Sequence, residues 1–225
     1  ARADNQFDVM AIHPYGYGDP RAPEVYIPQA LQSLRRLLRR HEAHDKPIWF
    51  TEWGWPTHQG RRGLGHRQQG QYLARGHLLA LRHGLARSFW YELQERQPAD
   101  QKNEDAFGIL EHDLSPKPAY RAYQTLIKIR PPGSRTLKRW WRDGLIYHTA
   151  WRRPDGTIVH AIWNVWGKWQ QPRRVKVELT GKLRRAENYL GEPVEVERTG
   201  QAVMLPLDWG SPLYLVGPRK LTLAR

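Results

Sequence analysis

Pro47-Ile48-Trp49-Phe50-Thr51-Glu52-Trp53-Gly54-Trp55 is the stretch on which the reading turns. A short apolar run opens on a proline and closes on a glycine. That pattern fits a buried β-strand, too short for a helix and rich in β-formers. Its C-terminal end carries one carboxylate, Glu52, among aromatic side chains. Two further runs repeat the pattern: Phe7-Asp8-Val9-Met10-Ala11-Ile12, ending in His13-Pro14-Tyr15, and Ala86-Arg87-Ser88-Phe89-Trp90-Tyr91.

Helical patterns separate the three runs. Leu31, Leu34, Leu37 and Leu38 share one face over 28–43. Tyr72, Leu73, His77, Leu78, Leu79 and Leu81 do so over 66–84, where Gly84 offers a C-cap. A third helix, over about 117–128, follows Pro116. The order β-α-β-α-β-α, with strand starts about 40 residues apart, predicts parallel strands joined by crossover helices. Three such units cannot close a barrel, which needs eight strands. The first run begins at residue 7 with no upstream partner. The expectation is therefore the last part of a larger barrel, residues 1–131, whose earlier strands lie elsewhere.

After Pro131-Pro132-Gly133-Ser134 the period of the pattern changes to two. Leu145–Trp151 and Thr157–Val165 flank the turn Arg152-Arg153-Pro154-Asp155-Gly156. Strand-like runs continue at 174–179, 186–189, 194–198, 202–207 and 213–216. Residues 135–225 are expected to form a small antiparallel β-sandwich. The fold class is thus α/β: a partial (β/α)8 barrel followed by an accessory β domain.

The chain has 225 residues and a formal net charge of +14. Residues 135–225 hold 17 Lys/Arg against 8 Asp/Glu, a net +9, and the rest hold 19 against 14, a net +5. Such a field suits an anionic polymer, whether acidic polysaccharide, nucleic acid or a membrane surface. The plainer reading is a solvated arginine-rich surface. Cysteine is absent, which excludes disulfides and thiolate-bound metals. No apolar run approaches the ~20 residues of a membrane span. No signal-peptide pattern is read in these residues, which says little, since Ala1 is expected to begin a fragment or a processed chain. His41-Glu42-Ala43-His44 has one residue too few between its histidines for a zinc-protease helix and fits a solvated helix end. Gly60–Gly65, just after the Glu52 strand, suits a mobile loop beside the site.

In parallel α/β folds, functional side chains collect at the C-terminal ends of strands. Those ends present His13 and Tyr15, then Glu52 and Trp55, then Trp90, Tyr91 and Glu92. A carboxylate ringed by aromatic faces and hydrogen-bonding groups suits glycosyl transfer. The carboxylate attacks the anomeric carbon while Trp or Tyr stacks on the sugar.

The motifs together resemble clan A retaining glycoside hydrolases, nearest to families 39 and 5. Residues 7–15 resemble their sixth strand, 47–55 their seventh with its nucleophile Glu, and Phe89-Trp90-Tyr91 their eighth. Phe107-Gly108-Ile109-Leu110 and Asp113 through Tyr120 are similar to the passage into their last helix. The resemblance covers about residues 5–130. It implies double displacement with Glu52 as nucleophile, Tyr15 as its hydrogen-bond partner and Trp90 as sugar platform. His13 and Trp55 would line the pocket. Tyr91 and Glu92, at the third strand end, are expected to bind substrate, with Glu92 holding either a sugar hydroxyl or an Arg. It implies a carbohydrate substrate, no metal, no cofactor, and a secreted or periplasmic setting.

One element of the family pattern is missing. Retaining hydrolysis needs a second carboxyl ~5–5.5 Å from the first, which the family carries on an Asn-Glu pair after its fourth strand. The one Asn-Glu here, Asn103-Glu104, lies in a polar loop after the third strand. The acid/base is therefore expected on an N-terminal half-barrel outside these residues. The competing expectation is a carbohydrate-binding protein that does no catalysis. A nucleic-acid binder ranks last, because it gives Glu52 no role at a strand end.

Overall fold

A computed structural model describes residues 6–16, 22–58, 60, 63–98, 103–137, 141–165, 172–200 and 202–224. In the 60–65 loop beside the site, Arg61 and Arg62 lie outside these residues. The chain divides into two compact units, 1–119 and 120–225. The division falls ahead of Pro131, so most of the last helix goes with the second unit rather than the first.

The first unit follows the expected alternation: β1 (Met10–Ile12), α1 (Ala22–Arg40), β2 (Ile48–Trp53), α2 (His66–Arg82) and β3 (Arg87–Trp90). The strands form one parallel sheet in the order β1-β2-β3. Helix α1 starts six residues before the expected position. Pro28 suits a first helical turn, yet here it sits inside the helix. The turn before it is anchored from outside. Ile27 is buried, and Glu24 pairs with Arg75 of α2 at 2.9 Å, both side chains fully buried. Tertiary contact thus overrides the proline signal.

The two faces of the sheet differ. Phe50 of β2 and its cross-strand partner Ser88 share a face with Trp53, whose indole N–H donates to Ser88 Oγ at 2.8 Å. Trp53 is fully buried and meets His77 of α2 edge-on at 4.9 Å. It packs so close to α2 that a Cβ on Gly76 would lie 2.4 Å from its ring. The opposite row is Ala11, Trp49 and Arg87 in register, with Phe89 beyond. Ala11 and Arg87 are exposed, Trp49 is half-buried, and Phe89 is 48% exposed while touching the Trp49 ring. One face is therefore core and the other is open.

Between Phe50 and Trp53 the pairing with β3 shifts register, because Phe50 faces Ser88 and Trp53 faces Trp90. Three residues on one strand oppose two on the other, which is a bulge with one extra residue. Phe50 and Trp53 both face the core although they are three apart, and Glu52 is released to the strand end.

Burial holds the His77 imidazole down at a pKa of about 4. In the unfolded chain it would titrate near 6.5. The folded state thus favours the neutral ring, and its stabilising contribution is complete above pH 6.5. It drains away as the pH falls through about 4, and the total is about 3 kcal/mol. Urea midpoints for the first unit should drop between pH 7 and 4.5, and this drop should shrink in a His77→Leu variant. An equal drop in the variant would show that another group drives it.

The second unit takes most of α3 (Pro118–Ile129). It continues through β4 (Arg135–Thr136), β5 (Trp141–Asp143), β6 (Ile146–Arg152), β7 (Ile158–Asn164), β8 (Arg173–Thr180) and β9 (Arg185–Asn188). The last strands are β10 (Glu197–Thr199), β11 (Ala202–Leu207), β12 (Leu213–Val216) and β13 (Lys220–Leu223). Two antiparallel sheets form, β10-β11-β8-β13 and β4-β6-β7-β12-β9, with β5 on β6. Ile146, Ile162, Leu213 and Leu215 of one sheet share a core with Val175, Val177, Val203 and Leu205 of the other. The Trp151 indole N–H donates to the Ile129 carbonyl at 3.0 Å, tying α3 to β6. Strands β4, β5 and β13 were not expected from the sequence. Each is two to four residues long, too short to show a clear alternation.

Candidate active site

The three strand ends converge as the sequence suggested. Tyr15, just past β1, donates its phenolic O–H to Glu52 Oε1 at 2.5 Å. His13 Nδ1 lies 3.7 Å from Glu52 Oε2, and its Nε2 is hydrogen-bonded to Thr51 Oγ1 at 3.1 Å. Glu52 is 34% exposed at its side chain, and His13 is 53% exposed. The carboxylate is thus held at one oxygen by Tyr15, has the His13 ring near the other, and stays open to solvent. A hydroxyl donor holds a carboxylate aligned. Removing it in Tyr15→Phe should slow covalent trapping of Glu52 roughly 10- to 100-fold, the worth of one hydrogen bond to a charged group. Unchanged trapping kinetics would mean that Tyr15 does not act on Glu52.

Gly54 follows because two backbones meet there. A Cβ at this position would lie 2.3 Å from the Tyr91 carbonyl oxygen. The Tyr91 N–H in turn donates to the Trp53 carbonyl at 2.9 Å. This close approach sets Trp90, Tyr91 and Glu92 beside the Glu52 strand. Trp90 is half-buried, crosses Trp53 edge-on at 5.1 Å, and donates its indole N–H to the Phe107 carbonyl at 3.2 Å. Phe107 is wedged between Tyr15 at 5.6 Å and Tyr91 at 5.5 Å.

Trp55 stands elsewhere than expected. It is 2% exposed, so it backs the site and does not line an open pocket. Its ring contacts Trp53, Tyr72 and Trp90, and its indole N–H donates to the Gly16 carbonyl. The indole thus finds its hydrogen bond inside the cluster and has no reason to face water.

Tyr91 and Glu92 share Arg96, which donates from Nε to Glu92 Oε2 at 3.3 Å and from its second amino group to the Tyr91 hydroxyl. Burial raises the Glu92 carboxyl above the ordinary range, Arg96 works against this, and the charges of Asp105 and Glu104 add to it. The Tyr91 hydroxyl is raised by burial first, then by Glu92, with Glu52 and Glu104 also acting on it. Glu104 lies in a 3₁₀ turn, Asn103–Asp105, and its charge acts on both Tyr91 and Glu92. Among the described residues, Glu52, Glu92, Glu104 and Asp105 act on these two groups in one sense and Arg96 in the other.

Sequence reasoning missed the groups beneath. Gln69 of α2, wholly buried, donates to the Trp55 carbonyl at 2.9 Å and lies within reach of those of Phe107 and Gly108. A buried glutamine within a helix leaves no periodic signal. Among the described residues no group of three or more His, Asp or Glu could hold a metal ion. No described helix is long and apolar enough to cross a membrane.

No protein-family profile matches the sequence, and no curated protein matches it at the significance required. Solved structures do share the fold. A family 39 glycoside hydrolase from the gut symbiont Bacteroides cellulosilyticus WH2 is similar at a TM-score of 0.77 and 24% identity, over 95% of this chain and 45% of that one. A GH51 arabinofuranosidase from Xanthomonas axonopodis pv. citri gives a TM-score of 0.58 and 15% identity, over 93% and 52%. A GH30 endoxylanase from Clostridium papyrosolvens C71 gives 0.57 and 13%, over 96% and 50%. The structural neighbours are thus clan A glycoside hydrolases. The chain spans about half their length, as a partial barrel would.

Proposed function

We propose that residues 1–131 are the C-terminal portion of a retaining glycoside hydrolase barrel, with Glu52 as nucleophile and 135–225 as an accessory β-sandwich. One observation carries this reading: the Tyr15 hydroxyl donates to one oxygen of a one-third exposed carboxylate at the end of the middle strand, with the His13 ring 3.7 Å from the other. Glu52 attacks the anomeric carbon as the bond to the departing oxygen breaks, leaving a glycosyl ester that water later cleaves. Tyr15 aligns the attacking oxygen, Trp90 offers its face to the sugar, and Tyr91 and Glu92 bind hydroxyls.

The proton for the leaving group comes from a carboxyl on an N-terminal half-barrel. The open row Ala11, Trp49, Arg87 and Phe89 supports this, because a parallel sheet is stable when both faces are covered. The acidic surroundings of Tyr91 weigh against an anionic sugar at the reacting position. The basic excess of the chain would act on a polymer elsewhere along its length.

The test is trapping with 2-deoxy-2-fluoro glycosides of several sugars bearing a dinitrophenolate leaving group. That group departs without protonation, so the missing acid is not required. Mass spectrometry should find the sugar esterified to Glu52. Label on another residue, or none in a preparation that hydrolyses glycosides, overturns the assignment. The second reading is a carbohydrate-binding protein without catalysis, which the aromatic side chains Trp90 and Tyr91 at the strand ends would also serve. It predicts oligosaccharide binding with no ester even when an N-terminal half is supplied.

A further inference from the structure

We propose that Lys117 is a positioning residue for the site, acting through Thr57 and Glu95 on the two segments that carry the reactive and sugar-facing side chains. This rests on Glu52 being the nucleophile. Lys117 Nζ donates to Thr57 Oγ1 at 2.7 Å and forms an ion pair with Glu95, and Thr57 Oγ1 itself donates to Glu95 Oε1 at 3.2 Å. The Lys117 and Glu95 side chains are fully buried, and Thr57 is nearly so.

The three partners come from separate parts of the chain. Thr57 follows Glu52 by five residues, and Glu95 follows Trp90 by five and Glu92 by three. Lys117 stands immediately before α3. Each end of the knot is also fixed by backbone. The Thr57 N–H donates to the Ala106 carbonyl at 2.9 Å, that of Glu95 to Leu110 at 3.1 Å, and that of Lys117 to Ile109 at 3.1 Å. The 104–110 segment is thereby threaded between the two site segments, and it carries Phe107, which touches both Tyr15 and Tyr91.

Stability alone does not account for such a group. Desolvating a buried ion pair typically costs as much as the pair returns, and apolar residues of like volume serve equally well. A charged knot supplies direction instead. It sets the 53–57 and 91–95 segments in one register, and misplacement of reacting groups by about 1 Å can cost two orders of magnitude in rate.

The experiment compares the full chain with Thr57→Val, and with the apolar triple variant Thr57→Val/Glu95→Leu/Lys117→Met. Three quantities are read: thermal stability, the indole N–H resonances of Trp55 and Trp90 by NMR, and trapping of Glu52 by the fluoro glycoside resolved into its maximal rate and half-saturation. The expected result in a folded variant is displaced Trp55 and Trp90 resonances with Trp151 unmoved. The maximal trapping rate should fall about tenfold or more, with half-saturation nearly unchanged. A folded variant whose indole resonances stay in place overturns the proposal, and so does undiminished trapping. Should the triple variant not fold, Thr57→Val keeps the ion pair and decides by the same readings. If the unaltered chain is never labelled at Glu52, the nucleophile assignment falls. The indole resonances then still decide whether Lys117 holds the two segments in place.

Discussion

A Glu52→Gln variant should keep its fold and lose its capacity to form a glycosyl ester, by roughly 10⁴-fold or more, as expected when a nucleophile is removed. Gln matches Glu in shape and can still accept the Tyr15 hydrogen bond on its amide oxygen. What disappears is the negative charge that makes the oxygen a nucleophile. Glu52 is one-third exposed and is not among the buried residues of β2, which are Ile48, Phe50 and Trp53, so stability should change by about 0.5 kcal/mol or less. Trapping with the activated fluoro glycoside, followed by peptide mass spectrometry, measures the loss. A variant trapped at the rate of the unaltered chain would remove Glu52 from the chemistry.

The neighbouring residue should behave in the opposite way. Trp53→Ala is expected to destabilise the first unit by about 3–5 kcal/mol, the range for deleting a buried aromatic. Typical domains are stable by only about 5–15 kcal/mol. Trp53 is wholly buried, is ringed by Trp55, His77 and Trp90, and is hydrogen-bonded to Ser88. Its loss opens a cavity that backbone on both sides resists closing. It also strands the Ser88 hydroxyl. Urea denaturation followed at the first unit is the measurement, and a cost below about 1 kcal/mol would contradict the packing described.

Much of this was legible in the sequence because it rests on local rules. The run from Ile48 to Trp53 announces a strand by composition, and the aromatic-flanked ends announce a site. Tyr15 and Glu52 meet because parallel strands align their C-terminal ends. What stayed hidden depends on contacts distant in sequence. The first turn of α1 is held by Arg75, 51 residues from Glu24, and no local signal outweighs Pro28. Trp55 reads as a pocket wall until its ring is found wedged against Tyr72. Lys117 lies 60 residues from Thr57, so no local pattern ties the two together. The one-residue bulge in β2 has no composition of its own, since it arises from the register with β3.

That bulge has an evolutionary consequence. In a regular strand, adjacent side chains alternate rigidly, and a change of register at one position would drag its neighbours to the wrong face. Here the extra residue puts the proposed nucleophile and the side chain that holds the fold on adjacent codons with separate duties. Selection can tune reactivity at one without eroding the other. The open end of β2 can thus be explored by mutation at little risk to the scaffold behind it.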